Sequence, residues 1–317
     1  MTVDDDALGF APLHDSPVPY MLRTRTYYQA LGYTTPYRWA QYTEVPFAAL
    51  PKPLSECRVA LITTAAPYQP DKGDQGPGAP YNSAAKFYKV YSLSTEGEPD
   101  VRISHVGIDR KHTTAEDPNT WLPLAQMKRA AAEGRIGSVA PRFHGAPTNR
   151  SHRTTLDQDC PELLARLRED AVDAAILAAN CPVCHQTIAL SARHLEAGGL
   201  PTVVMGCAKD IVEHAGVARF LFSDFPLGNA AGRPHDVASQ AKTLDLALDV
   251  LESARGPRTT VQSPLRWSED PDWKLDFCNI ERIPPEELAR LRQSFDEQKE
   301  IAKGRRAEDG LKVKAAE

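Results

Sequence analysis

The residue types and spacing best suited to chemistry are Cys181 and Cys184 in the segment NCPVCHQT. The apolar stretch VDAAILA before this segment predicts a buried strand, and IALSARHLEA after it predicts a helix. A thiol at a helix N-terminus faces free backbone amides and the positive end of the helix dipole, which stabilise a thiolate. The pattern therefore predicts a depressed pKa and a nucleophilic role for Cys181. Cys184 is placed to resolve an adduct by closing an internal disulfide.

The residues beside the cysteine pair extend this interpretation. Asn180 directly precedes Cys181, where the cysteine motif joins the predicted strand to the helix, and is a residue type that caps helices. His185 follows Cys184 and is a candidate for tuning the thiolate or protonating a leaving group.

Three other interpretations of the motif are open. The letters CPVCH match the attachment pattern of c-type haem, but that chemistry normally requires export, and the acidic start MTVDDDALGF is unlike a signal peptide. A zinc site built on Cys181 and Cys184 needs further ligands, for which Cys207, His185 or His214 are available, although no second CxxC or HxxxH pair exists. The cysteines can also be inert packing residues. We favour redox or nucleophilic thiol chemistry with no bound metal.

A second constellation is the segment SHVGIDRKH, which contains His105, Asp109 and His112. It follows a short predicted strand, and loops at strand ends often carry function. A histidine near a carboxylate can act as a general acid or base, so these three residues are catalytic candidates.

Two further segments at predicted strand ends supply candidates for substrate binding. PRFHG contains Arg142 and His144, and an arginine there either pairs with a substrate carboxylate or forms a structural ion pair. SDFPLGN contains Gly228 and Asn229, which suit either a tight turn beside a ligand or a simple structural turn.

The elements that must position these residues alternate between strands and helices. RVALITT is the first buried strand, and a Gly/Pro-rich loop over 67–80 follows it. Further strands at 101–105, 172–178, PTVVMG and RFLFSD alternate with helices at 122–133, 161–170, 188–199, 210–214 and 236–253. This order predicts an α/β fold with a mostly parallel, Rossmann-like sheet covered by helices.

The chain divides into four predicted parts. Residues 1–57 form an irregular N-terminal arm that packs on the main domain, and 58–160 form a first α/β portion. Residues 161–280 form a second α/β portion with the CxxC motif, and 281–317 are a C-terminal helix and tail. Within the arm, Arg25, Tyr37 and Arg38 are candidates for a substrate pocket or a subunit interface.

Composition excludes several classes of function. Lys and Arg number 37 against 42 Asp and Glu, so the net charge of -5 gives no overall basic field for nucleic acid. No apolar run reaches the length of about 18 residues that a membrane span needs. Six dispersed cysteines in 317 residues indicate reduced thiols, so we expect a cytoplasmic protein.

The ordered set of RVALITTA, SHVGIDRKH, GRIGSVAPRFHG, the cysteine motif with its helix and PTVVMG, and FPLGN resembles a known enzyme family. It is similar to the glycine/sarcosine/betaine/D-proline reductases, and within them to the selenoprotein B-type subunit, over about residues 58–255. By this resemblance Cys181 occupies the selenocysteine position of a UxxC motif and Cys184 its cysteine. Thr187 stands where the family motif has a further cysteine, and it is also a candidate for substrate binding.

The resemblance implies a reaction. In that family the selenolate attacks the carbon that bears the amine, and thiols and thioredoxin supply the electrons. Anaerobic members also use a pyruvoyl group on a partner subunit. We therefore expect a thiol-dependent oxidoreductase that cleaves a carbon-nitrogen or other carbon-heteroatom bond of a small molecule. An external dithiol such as thioredoxin is the expected reductant, with a homo-oligomer or a partner subunit as the assembly. The alternative is a zinc-binding or redox-sensing subunit without turnover.

Overall fold

The computed structural model describes residues 15–148 and 151–308. The strands are β1 (Arg58–Thr63), β2 (Ala66–Pro67), β3 (Tyr91–Ser94), β4 (Val101–Arg102), β5 (Ser138–Val139), β6 (Arg142–Gly145), β7 (Ala174–Ala178), β8 (Thr202–Gly206), β9 (Arg219–Phe222) and β10 (Thr259–Gln262). The helices are α1 (Tyr20–Ala30), α2 (Leu124–Ala132), α3 (His152–Thr154), α4 (Cys160–Glu169), α5 (Pro182–Ala197), α6 (Lys209–Ala215), α7 (Val237–Ser253) and α8 (Pro285–Glu308). Among these helices, none combines the length and apolar composition needed to cross a membrane.

The main sheet has the order β10-β9-β8-β7-β1-β6-β3, and β5 also pairs with β1. Every pairing in it is parallel except that of β3 with β6. Parallel neighbours need long crossover connections, and helices provide them. The predicted α/β fold with a mostly parallel sheet is confirmed.

Both faces of the sheet are buried, which explains why its strands are apolar runs without alternation. Successive side chains of a strand point to opposite faces, and β1 illustrates the result. Val59 and Leu61 belong to the core cluster formed with α2 and α7. Ala60 and Ile62 belong to the cluster formed with α4, α5 and α6.

The strand order reverses next to β1. From β1 the chain continues to β6 on one side, and β7 then lies on the other side. In open parallel sheets, such a reversal leaves a crevice at the carboxyl ends of the two central strands, where ligands commonly bind. Here Thr64 follows β1 and Asn180 follows β7, and the Asn180 amide donates a hydrogen bond of 2.9 Å to the Thr64 hydroxyl.

The structure differs from the predicted elements in the arm and at the sheet edge. The arm contains a helix, α1, where the sequence predicted irregular chain, because tertiary contacts stabilise it: the buried Tyr20 packs edge-on against Phe277. Arg23 donates to the Phe277 carbonyl at 3.1 Å. The predicted strand at 101–105 is shortened to β4, which pairs antiparallel with β2 in a separate small sheet. Strands β3 and β10 were not predicted.

One sheet runs through both predicted α/β portions. Strands β1, β5, β6 and β3 come from 58–160, and β7 to β10 come from 161–280. A buried ion pair adds a link across elements, since Arg219 at the start of β9 lies 2.9 Å from Glu196 on α5. The other carboxylate oxygen of Glu196 accepts from the backbone amide of Ala48 in the arm.

Candidate functional site

The cysteine pair lies at the carboxyl end of β7, in the crevice beside β1. Cys181 has an extended backbone and is itself the N-cap of α5, because its sulfur accepts a hydrogen bond of 3.3 Å from the Cys184 amide. Pro182 occupies the first helical position, where its missing N–H costs nothing. The two sulfurs are 2.8 Å apart. Asn180 does not cap the helix as expected, since its side chain reaches Thr64.

The pKa values of the two cysteines are shifted in opposite directions. Burial opposes ionisation of Cys184, yet hydrogen bonds from Cys181, His105 and Thr64, together with the positive charge of His105, bring its pKa well below the usual value. Burial and the neighbouring Cys184 thiolate raise the pKa of Cys181 well above the usual value. The depression predicted for Cys181 therefore falls on Cys184 in the reduced pair, because His105 and Thr64 contact the second sulfur.

His105 connects the cysteine pair to the loop after β4. It is 7% exposed, and its Nδ1 has no hydrogen-bond partner among the described residues. The His105 ring contacts the Cys184 sulfur, so this predicted catalytic candidate lies beside the cysteine pair.

His185 is held by backbone groups on both sides of its ring. Its Nδ1 lies 2.8 Å from the Cys181 carbonyl, and its Nε2 accepts from the amides of Cys207 and Ala208 at 2.8 and 3.1 Å. Two donors on Nε2 require the tautomer with the proton on Nδ1. Burial lowers the pKa of His185 to about 4, so the ring is neutral. This geometry favours a positioning role for His185 over the predicted role in proton transfer.

A cavity of 40 Å³ adjoins the pair. Its lining residues are Ala66, Tyr81, Lys86, Phe87, Ser104, His105, Val106, Thr148, Cys181 and Val183. Cys181 is thus the sulfur that faces the cavity, whereas Cys184 lies behind it with no exposed surface. Lys86 donates to the Thr148 carbonyl at 2.6 Å, and its charge lowers the pKa of Cys181 against the larger effect of burial. No acidic residue is among the described residues of this lining.

The loop after β4 approaches the start of α5 closely. A Cβ atom at Gly107 would lie 2.8 Å from Cδ of Pro182 and 3.4 Å from Cβ of Cys181. Only glycine permits this contact without displacement of one of the two segments, and the contact brings His105 to the cysteines.

A larger groove of 680 Å³ lies outside the cavity and shares Val183 with it. The arm and α8 form much of its wall, which includes the aromatic residues Tyr28, Tyr33, Tyr37 and Phe295. Of the candidates in the arm, Tyr37 and Arg38 line the groove, whereas Arg25 is exposed and does not. Tyr37 is fixed by the Gln186 amide of α5, which donates to its hydroxyl at 2.6 Å.

Asp109 and His112 do not join the cysteine pair. The Asp109 carboxylate accepts from the backbone amides of Lys111 and His112 and so stabilises its own turn. His112 faces Asp276, with 2.9 Å between Nε2 and Oδ2. The predicted constellation is therefore divided, since only His105 reaches the cysteines.

Arg142 and His144 form structural contacts on β6. The guanidinium of Arg142 binds Asp170 at 2.8 Å and Glu169 at 3.1 Å, which is the ion-pair alternative left open by the sequence. His144 is fully buried, bonds through Nδ1 to the Ser92 hydroxyl at 2.8 Å, and has a pKa lowered to about 4 by burial.

Thr187, Gly228 and Asn229 also lie outside the described cavity lining. Thr187 is buried on α5, and its carbonyl accepts from the Ser191 hydroxyl at 3.0 Å. Gly228 has a φ of 111°, and a Cβ there would lie 2.6 Å from Cγ2 of Ile108. Asn229 donates to the Pro226 carbonyl at 3.0 Å, so these residues build a structural turn.

The zinc alternative finds no support in the described parts of the chain, where no three His, Cys, Asp or Glu side chains are grouped as metal ligands. Cys207 is buried beyond His185, where backbone amides of Phe225 and Asn229 contact its sulfur, and burial raises its pKa.

Sequence reasoning missed four residues of the site: Thr64, Lys86, Gly107 and Thr148. The local signals were a glycine between two candidate residues in SHVGIDRKH, for Gly107, and the end of the predicted strand RVALITT, for Thr64. The others have no distinctive neighbours and reach the pair only through the crossovers of the sheet.

Comparison with known proteins places this site in context. Residues 25–180 match the family of glycine/sarcosine/betaine reductase selenoprotein B, and the matched segment ends immediately before Cys181. The D-proline reductase subunit gamma of Acetoanaerobium sticklandii is 28% identical over 190 residues, which are 60% of this chain and 76% of that protein. The glycine reductase complex component B subunit gamma of Symbiobacterium thermophilum is 26% identical over 209 residues, covering 64% of this chain.

The betaine reductase complex component B subunit beta of Peptoclostridium acidaminophilum is 27% identical over 163 residues, covering 51% of this chain. These matches span 48% of the glycine reductase subunit and 36% of the betaine reductase subunit. No solved structure matches the chain. The resemblance inferred from the sequence is confirmed: this chain is similar to the selenoprotein B subunits of glycine, sarcosine and betaine reductases, over residues 25–180 in the family match.

Proposed function

We propose that this protein is a thiol-dependent oxidoreductase that reductively cleaves a carbon-nitrogen or other carbon-heteroatom bond of a small organic substrate. Cys181 acts as the nucleophile and Cys184 as the resolving thiol. The observation that carries the proposal is the pair itself, with sulfurs 2.8 Å apart at the strand-order reversal and only Cys181 facing a cavity. The names of the relatives, which are subunits of reductases, support the same class of reaction.

The first step uses the unequal charge of the two sulfurs. The Cys181 proton passes to the Cys184 thiolate, and the Cys181 sulfur attacks the substrate carbon that bears the heteroatom. A carbon-sulfur bond forms as the carbon-heteroatom bond breaks, and the leaving group departs with its electron pair. His105 contacts Cys184 and lines the cavity, so it is placed to supply the proton that an amine leaving group needs.

The second step completes the reduction. Cys184 gives up the proton it received, attacks the Cys181 sulfur and forms a disulfide. The electron pair of the carbon-sulfur bond passes to carbon, which takes up that proton. The cysteine pair has then lost two electrons and the substrate has gained them.

An external dithiol, such as a thioredoxin-like protein, restores the pair. Because Cys181 is only 4% exposed, the donor must reach it where the cavity and the outer groove meet at Val183. The relatives are named as subunits of complexes, so a partner subunit or a second copy of the chain fits this proposal, as does a reducing compartment such as the cytoplasm.

Single cysteine variants test the proposal. With glycine, sarcosine, betaine and D-proline as candidate substrates and a reduced dithiol as donor, Cys181→Ser abolishes turnover. In Cys184→Ser the neighbouring thiolate that raises the pKa of Cys181 is gone, so Cys181 can still ionise and attack. The reaction then stops for lack of a resolving sulfur, and intact mass spectrometry detects a substrate adduct on Cys181. Cys160→Ser is the control, because Cys160 is buried beside Ser191 and does not line the cavity.

Other outcomes would redirect the assignment. Full turnover in both cysteine variants would overturn it. Reversible formation of the Cys181–Cys184 disulfide without turnover of any substrate would favour the redox-sensing alternative. Stoichiometric zinc that protects Cys181 from alkylation would favour the zinc-binding alternative.

A further inference from the structure

We propose that the same cysteine pair also reduces hydroperoxides, with hydrogen peroxide or a short alkyl hydroperoxide as substrate. The first observation is the size of the cavity in front of Cys181. A buried water molecule needs a cavity of about 10–15 Å³. The cavity of 40 Å³ in front of Cys181 therefore has room for about three groups of that size. A hydroperoxide is an electrophile of that size, and this activity does not require the reductive cleavage proposed above.

The second observation is the polar lining of the cavity. Thr148 is 2% exposed and its hydroxyl has no hydrogen-bond partner among the described residues, as is also true of Nδ1 of His105. A buried polar atom without a partner is destabilising, so a small ligand that hydrogen-bonds to it is favoured. A hydroperoxide both donates and accepts hydrogen bonds, so it can bond to the Thr148 hydroxyl and to Nδ1 of His105.

The third observation is the positive charge at the cavity. Lys86 and His105 line it, and no acidic residue is among its described lining residues. Breaking the O–O bond of a peroxide creates a hydroxide or alkoxide, whose negative charge needs positively charged or hydrogen-bonding groups in place. Lys86 and Thr148 supply that environment, and His105 supplies a proton.

The reaction balances with the groups present. The Cys181 proton passes to the Cys184 thiolate, and the Cys181 sulfur attacks the nearer peroxide oxygen. A sulfur-oxygen bond forms, the O–O bond breaks, and the leaving oxygen takes a proton, which gives Cys181 sulfenic acid and water or an alcohol. Sulfur has then lost two electrons and the peroxide has gained them.

The 2.8 Å separation of the sulfurs completes the cycle. The Cys184 sulfur attacks the Cys181 sulfenic acid, water leaves, and the disulfide forms. The resolving thiol is therefore already in contact with the oxidised sulfur, which limits further oxidation. An external dithiol reduces the disulfide and so completes peroxide turnover.

Rapid mixing of the reduced, full-length protein with hydrogen peroxide tests the proposal. The expected result is loss of two hydrogen atoms from the intact mass, a disulfide mapped to Cys181 and Cys184, and a rate constant about 100-fold above that of free cysteine at the same pH. In Cys184→Ser, dimedone labels Cys181 as its sulfenic acid. A rate constant close to that of free cysteine, or labelling of other cysteines instead, would overturn the proposal.

Two matched variants separate the cavity from general destabilisation. Thr148→Val removes the hydroxyl at nearly constant volume and lowers the peroxide rate constant by about 10- to 100-fold. Ser223→Ala is the control, because Ser223 also has a buried hydroxyl without a partner among the described residues but does not line the cavity. Equal rates in wild type and Thr148→Val would contradict the role of the cavity.

The peroxide assay and the cleavage assay fail independently. The first needs only peroxide and reads oxidation of the pair, whereas the second needs an organic substrate and reads the cleaved product. Oxidation at the rate of free cysteine together with cleavage of an amine would remove the peroxidase proposal alone. Rapid oxidation without cleavage of any organic substrate would remove the reductase proposal alone.

Discussion

The carboxyl group of Asp109, in the loop that carries His105, is buried and has a raised pKa. It is 3% exposed, its Oδ2 has no partner among the described residues, and burial raises its pKa from 3.8 to about 6. Between about pH 4 and pH 6 the folded protein therefore holds a proton that the unfolded chain has lost. The free energy of unfolding falls as pH rises through this window, by about 3 kcal/mol in total, and then stays lower.

Asp109→Asn removes this dependence, because the amide oxygen still accepts the turn's backbone hydrogen bonds but cannot ionise. We expect a variant that is more stable than wild type at pH 7 by about 1–3 kcal/mol and equally stable near pH 4. Thermal unfolding at several pH values between these limits measures the difference. Asp249→Asn is the control, because Asp249 is exposed in a surface ion pair with Arg135. An unchanged pH profile in Asp109→Asn would contradict the argument.

The cysteine pair shows how far single residues could be predicted. The sequence located both cysteines and the strand-helix junction, because these are local features. It placed the lower pKa on Cys181 and could not foresee that Thr64 and His105 lower the pKa of Cys184, because these residues lie more than 70 residues earlier in the chain. Tertiary contacts of this kind leave no mark in the spacing of the motif.

At the scale of elements, the start of α5 depends on its contact with the loop after β4. Gly107→Ala would place a Cβ 2.8 Å from Pro182, which is closer than atoms of packed side chains approach. The loop must then move away and take His105 with it. We expect the pKa of Cys184 to rise and the thermal midpoint to fall, since overpacking typically costs about 1–3 kcal/mol.

Thiolate absorbance as a function of pH, together with thermal unfolding, measures both effects of Gly107→Ala. Gly256→Ala is the matched control, because a Cβ at Gly256 meets no atom within 4 Å and its φ is not in the left-handed region. If Gly107→Ala and wild type gave the same thiolate titration, the close contact between Gly107 and Pro182 would not be needed to position His105.

The elements that the sequence predicted well are those with strong local signals. Apolar composition and the spacing of apolar residues were enough to predict the buried strands β1, β7, β8 and β9 and the helices between them. Helix α1 was missed because its residues YMLRTRTYYQA show no regular apolar face, and its stability comes from contacts such as Tyr20 with Phe277. Strand β3 was missed because its residues are only partly buried at the sheet edge.

At the scale of the whole molecule, the two predicted α/β portions share one hydrogen-bonded sheet. Strand β1 of the first portion pairs over five residues with β7 of the second. Separation of the portions would expose the edges of both strands and the buried faces that α4 and α5 cover. The Glu196–Arg219 pair ties the arm to the second portion, because Ala48 of the arm bonds to both side chains.

We therefore expect residues 58–280 to unfold as one cooperative unit, although a chain of 317 residues is long enough for two independent domains. In urea, tryptophan fluorescence and far-ultraviolet circular dichroism of the reduced protein should give coincident transitions. Hydrogen exchange should give amides of β1 and β8 the same free energy of opening, since these strands come from different portions but flank β7 in one sheet. Two separate transitions, or a fragment 161–280 that folds alone, would show that the boundary at 160 divides true domains.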